Sequence, residues 1–247
     1  MKKVESKKKP LDAEKNYDLV DAGLVKYVKE KIFPRYNTAN GHGLDHIQNV
    51  IRRSLDFAKR INEGEIVLSP EDFANLPTSL ANGKINYDMC FATAVFHDLG
   101  RDKNNKLHHL VSAGYFLLDD FMEEFFSRDE LRVVADAIMD HRASNELDPL
   151  TIYGRIVSSA DRDTDCYDIM RRAYAYNHHL NPEQSEDETI QRTYDKICLK
   201  FVGSGAYGAK KMYFENPEFE AMLREFEVLT ADAEKFRAKM LELIHGD

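Results

Sequence analysis

The chain has 247 residues, enough to bury a sizeable core, and its 34 basic against 43 acidic residues leave a formal net charge of −9, which disfavours long nucleic acid as a main partner. Cys90, Cys166 and Cys198 are odd in number, far apart and free of any C-x-x-C spacing, so neither a disulfide framework nor a zinc knuckle is suggested. No stretch approaches the roughly 18 apolar residues of a membrane-crossing helix, and the lysine-rich N-terminus has no apolar run behind it, so a cytoplasmic protein without a membrane partner is expected.

Residues 1–14 lack apolar periodicity and read as a flexible tail. From Tyr17, apolar residues at 19, 20, 24, 25, 28 and 32 recur at helical spacing and predict an amphipathic helix ended by Pro34. A second helix is expected to open after "NTANGHG" and run to about Ile61. Residues 62–85 follow, with two prolines, two glycines and no sustained period; a short helix within "SPEDFANL" would make this excursion ordinary. Further helices are predicted at 86–99, 107–126, 128–141, 150–177, 186–201 and 217–244. No run alternates convincingly like a strand. The expected fold class is all-α, one globular helical domain over 15–247 with a motif core at about 40–175 and a C-terminal helical extension.

Three of these helices share a design, an apolar body ending in a histidine or an aspartate. "FATAVF" leads into His97 and Asp98, "VVADAIM" into Asp140 and His141, and "IYGRIVSSA" into Asp161. Charge removed from water is costly unless it is paired or holds a metal. Helix C-termini carry partial negative charge, so several converging on one place favour a cation. Imidazole with carboxylate suits a transition metal better than calcium, and the absence of cysteine argues against a structural zinc site. His46, on the second helix, is a candidate from elsewhere in the chain, with His42 at or before that helix's start.

These residues resemble the signature of the HD-domain metal-dependent phosphohydrolases: His46 in "HGLDHIQNV", the pair His97 and Asp98 in "FHDLG", and Asp161 in "IVSSADR", in that order. Members with a second ion add two histidines, and His108 before "LVSA" and His141 in "AIMDHRAS" fill those slots, with His109 a competitor for the first. The resemblance implies a helical hydrolase using one or two divalent ions (Mn, Fe, Co, Ni, Mg or Zn) held by His46, His97, Asp98, His108, His141 and Asp161. Asp98 and Asp161 balance one divalent ion; two would leave about two positive charges for a phosphate group and an activated water to satisfy. In that reading Asp98 bridges the ions.

Arg101 is a candidate phosphate contact, against a surface pair with Asp102. Asp165, four residues after Asp161 and thus expected on the same helical face, is a candidate supporting carboxylate, proton shuttle or sugar-hydroxyl acceptor, and Asp168 continues the stripe. Asp45 reads as a helix-start group or an orienter of His46 rather than a ligand, and Arg162 as a counter-charge to its acidic neighbours ahead of an anion contact. His178, His179 and His245 read as structural or solvated. "GSGAYGAKK" lacks the Walker pattern and reads as a connector. The expected substrate is a small phosphorylated molecule, a nucleotide in the first instance. A di-iron oxygenase and a non-catalytic metal- or nucleotide-binding regulatory domain are the alternatives with the same ligands.

Overall fold

The computed structural model describes residues 14–36, 43–203 and 212–246. The predicted tail up to residue 13, His42 and most of the glycine-containing connector lie outside them. Among the described residues the regular elements are helices and no strand occurs, so the fold is all-α. The chain divides between Asp161 and Arg162 into two compact units.

The first unit holds α1 (Ala22–Tyr27), α2 (Leu44–Asn62), α3 (Tyr87–Phe96), α4 (His108–Leu117), α5 (Arg128–Asp140) and α6 (Ile152–Ala160). Its centre is α3, buried at every residue from Met89 to Phe96. A helix apolar all round has no face to offer water and must be enclosed. Helices α2, α4, α5 and α6 pack around it. On α2 the opposite pattern holds, since Ile47, Val50, Ile51, Leu55 and Ala58 form one fully buried stripe on an otherwise polar helix. The second unit contains α7 (Cys166–Leu180), α8 (Glu186–Phe201), α9 (Pro217–Thr230) and α10 (Ala233–His245) around a core that includes Met170, Ile197, Phe219, Phe226, Phe236 and Met240.

Three of the long predicted helices are each interrupted. The 107–126 segment ends its α-helix at Leu117 and continues as a 3-10 turn over Asp120–Glu124. The 150–177 segment becomes α6 and α7, and 217–244 becomes α9 and α10. Each break sits at an aspartate whose side chain takes over backbone donors. Asp119 accepts from the amide of Phe121, Asp165 from those of Tyr167 and Asp168, and Asp232 from those of Glu234 and Lys235. A carboxylate that satisfies the open amides of a new helix is a start signal, which uninterrupted apolar periodicity hides.

Nearer the N-terminus, the helix predicted from Tyr17 begins instead after Asp21, which caps Gly23 and Leu24. It widens into a π-helical stretch over Val28–Ile32, and Pro34 opens a 3-10 turn, Phe33–Arg35. The 62–85 excursion contains a 3-10 turn, Pro70–Phe73, held by a capping box between Ser69 and Asp72. Its two ends are clasped by Asn62, whose Nδ2 donates to the Ile85 carbonyl at 2.9 Å and whose Oδ1 accepts the Ile85 amide at 2.8 Å.

Candidate metal centre

His97, His141 and Asp161 each stand at the C-terminal cap of an apolar helix, α3, α5 and α6 respectively. His46 lies in the first turn of α2 and His108 opens α4. Three helix ends of negative polarity and two of positive polarity therefore deliver side chains to one place. His97, Asp98, His108 and His141 are all at most 2 % exposed.

Asp98 is the hinge of the cluster. Its Oδ1 lies 3.1 Å from His108 Nε2 and 3.7 Å from His141 Nε2. Its Oδ2 lies 3.7 Å from His97 Nε2 and 3.9 Å from His46 Nε2. One carboxylate thus turns each oxygen toward a different pair of imidazoles. Asp161 joins the second pair, with Oδ1 at 3.1 Å from His46 Nε2 and 3.5 Å from His97 Nε2.

The tautomers follow from the backbone. Nδ1 of His97 sits 2.8 Å from the carbonyl of Ala94, Nδ1 of His108 2.9 Å from that of Asn105, and Nδ1 of His141 2.6 Å from that of Ile138. A carbonyl only accepts, so each Nδ1 carries the proton, and in the neutral ring Nε2 is the lone pair turned inward. The result at His108 and His141 is two Nε2 atoms 3.3 Å apart, both facing Asp98 Oδ1. Electron pairs so arranged repel unless a cation stands among them. Burial pushes His141 below the usual imidazole range, and that outweighs its contact with Asp98, so the proton is the weaker candidate for that cation.

At the other pair the balance differs. Burial again opposes charge on His97, but the neighbouring Asp98 and Asp161 reverse it and hold the ring above the usual range. Asp161, despite burial, is held well below the ordinary carboxylate range by its hydrogen bonds to His46 and His97. The donor atoms of His46, His97 and Asp98, those of His97, His141 and Asp161, and those of Asp98, His108 and His141 lie in each case within 4.8 Å of one another, close enough to hold an ion. Nitrogen and carboxylate donors with orienting bonds behind the imidazoles fit a divalent transition metal.

Residues 43–164 match the family model of the HD domain. This is an HD-domain protein. HD domains bind divalent metals and characterise a superfamily of metal-dependent phosphohydrolases. No curated protein and no solved structure matched the chain. The six clustered residues all fall within the matched segment. No helix among the described residues is long and apolar enough to cross a membrane.

The remaining candidates of this HD protein are distributed differently. Arg101 does not pair with Asp102, which lies against Lys103. Its Nε is 2.6 Å from Asp98 Oδ2 and its Nη1 donates to Asn105 Oδ1 at 3.0 Å. His108, rather than His109, faces the cluster. His109 is kept low, at a pKa of about 4, by burial and then by Arg142 and the two neighbouring histidines. Asp165 is not on a helical face shared with Asp161, because residues 161–165 lie between α6 and α7. Its Oδ1 caps α7, accepting from Tyr167 N at 3.1 Å and Asp168 N at 3.0 Å. Asp168 pairs with Arg171 instead of extending an Asp161 stripe. Asp45 is exposed in the first turn of α2, as a helix-start group should be.

Two supporting contacts had no separate reading in the sequence. Ser112 Oγ accepts the Gly100 amide at 2.9 Å, tying the turn after the HD pair to α4. Tyr36, buried before α2, donates its hydroxyl to the Val95 carbonyl in the last turn of α3. Ser112 lies within the "LVSA" pattern that located His108. Nothing local marks Tyr36, which is 59 residues from Val95.

Proposed function

We propose that this HD-domain protein is a metal-dependent phosphohydrolase that cleaves a phosphomonoester or phosphodiester of a nucleotide or small phosphorylated metabolite. One observation carries the reading: Asp98 directs its two oxygens to separate histidine pairs, the arrangement expected of a carboxylate shared by two cations. Divalent ions at such a centre lower the pKa of a bound water toward neutrality and neutralise charge building on phosphoryl oxygens.

The protein's own residues do the remainder. His46, His97 and Asp161 would hold one ion and His108 and His141 the other, with Asp98 common to both. The backbone carbonyls of Ala94, Asn105 and Ile138 keep three imidazoles in the tautomer that presents Nε2. Arg101, resting on Asp98 Oδ2, is a fixed positive charge beside the centre and can exchange that carboxylate for an anionic substrate oxygen.

The test is a screen of protein reconstituted with Mn2+, Co2+ or Ni2+ against nucleotides, cyclic nucleotides and sugar phosphates, following phosphate or nucleoside release. Metal-dependent turnover of at least one class supports the proposal. Full metal occupancy with no hydrolysis across the panel would refute it.

A further inference from the structure

The last turn of α3 does not close as a regular helix. In an unbroken ladder the Asp98 amide would bond the Ala94 carbonyl; here that carbonyl takes His97 Nδ1 at 2.8 Å instead. The His97 amide still reaches Thr93 O at 3.0 Å. At Asp98 the backbone departs, with φ −110° and ψ 4°, into the 3-10 turn Leu99–Asp102. The displaced Asp98 amide and the Val95 carbonyl both need partners in a region closed to water, since Val95 and Asp98 are buried.

The hydroxyl of Tyr36 stands between them. It donates to the Val95 carbonyl, and its oxygen lies against the backbone of Asp98, where the Asp98 amide is the available donor. Burial, reinforced by the nearby Asp98 carboxylate, holds the phenol protonated, so it remains a donor at any physiological pH. A single hydroxyl is thereby spliced into the helix end where an inserted water would otherwise stand.

We propose that Tyr36 is a positioning residue of the metal centre: by bridging the Val95 carbonyl and the Asp98 amide it fixes the direction in which the Asp98 carboxylate leaves α3. The need for such control lies in the geometry already described. Oδ1 and Oδ2 must each face their own histidine pair, and a rotation of the Asp98 backbone would take both off target together. This inference rests on the proposed metal centre, and the experiment separates the two.

Metal-stripped wild type, Tyr36→Phe and Tyr153→Phe are titrated with MnCl2 by calorimetry. Tyr153 is the control, a buried tyrosine whose hydroxyl accepts the Asn86 amide at 3.0 Å at the opposite end of α3. Outer contacts that orient metal ligands typically change affinity about 10–100-fold. Tyr36→Phe is expected to weaken Mn2+ binding about tenfold, at the lower end because it acts through the backbone, with helix content retained; Tyr153→Phe is expected to bind as wild type. Equal affinity in wild type and Tyr36→Phe, or equal losses in both variants, overturns the role of Tyr36 while leaving the metal centre intact. A wild type that takes up no Mn2+ overturns both. Should Tyr36→Phe fail to fold, hydrogen exchange of the Asp98 amide in the wild type decides: protection like that of the α3 core is expected, and free exchange overturns the proposal.

Discussion

Asp98 is a carboxylate only 2 % exposed, set among four imidazoles and a guanidinium. Taking such a group from water costs several kcal/mol unless cations compensate it. In the metal-free centre that compensation comes partly from Arg101 and partly from a proton on His97, whose pKa lies above the usual imidazole value. Metal and proton then compete for the same Nε2. The sign is fixed: below the raised pKa of His97 the ring is protonated, so Mn2+ affinity falls as pH drops, by up to about tenfold per pH unit for one displaced proton, and is restored above it. Calorimetry in buffers of different ionisation enthalpy should show proton release on metal binding near neutral pH. An affinity independent of pH from 6 to 8 would contradict this. His178, by contrast, is exposed. It stacks on Tyr174 within α7, and His178→Ala should leave both metal uptake and turnover unchanged.

Among the elements, the tightest constraint is where the turn after the HD pair meets α4. A Cβ on Gly100 would lie 2.7 Å from the His108 carbonyl oxygen, 2.7 Å from Val111 Cβ and 2.8 Å from the Ser112 amide. Gly100→Ala must therefore push the turn off α4, separating Asp98 from His108. Overpacking of this kind costs about 1–3 kcal/mol, and the variant should lose melting temperature together with one equivalent of bound metal. Melting without metal loss would show that the turn yields elsewhere. Asp165→Ala should behave in the opposite way. Removing the α7 cap costs about 0.5–2 kcal/mol and leaves metal content alone; a large fall in kcat at unchanged helix content would mean that Asp165 does more than cap.

Asp165 also shows where sequence reading reached its limit. Periodicity located the apolar bodies of α2, α3, α5 and α8 because burial on one face, or on every face, leaves a pattern within a single element. It could not separate α6 from α7 or α9 from α10. Asp165 and Asp232 look like ordinary exposed residues of a continuing helix until their carboxylates are seen on the amides that follow. Four of the six clustered residues, His97, Asp98, His141 and Asp161, were legible because polar groups at the ends of greasy helices need partners; His46 was the histidine they still lacked, and His108 came only with the family resemblance. Tyr36 was not legible, since its role depends on a contact between distant parts of the chain.

For the protein taken entire, the metal centre links stability to occupancy. A ligand that binds only the folded state at about 100 times its Kd adds about 2.7 kcal/mol, so chelation should lower the melting temperature and added Mn2+ should restore it. The direct test of the account is the number of ions each chain holds. Metal-stripped protein is equilibrated with excess Mn2+, freed of unbound ion and analysed for manganese per chain, alongside His141→Ala and Asp98→Ala. The account predicts two ions in the wild type, no more than one in His141→Ala and none in Asp98→Ala. A wild type without bound manganese, or an Asp98→Ala variant that holds as much as the wild type, would contradict it.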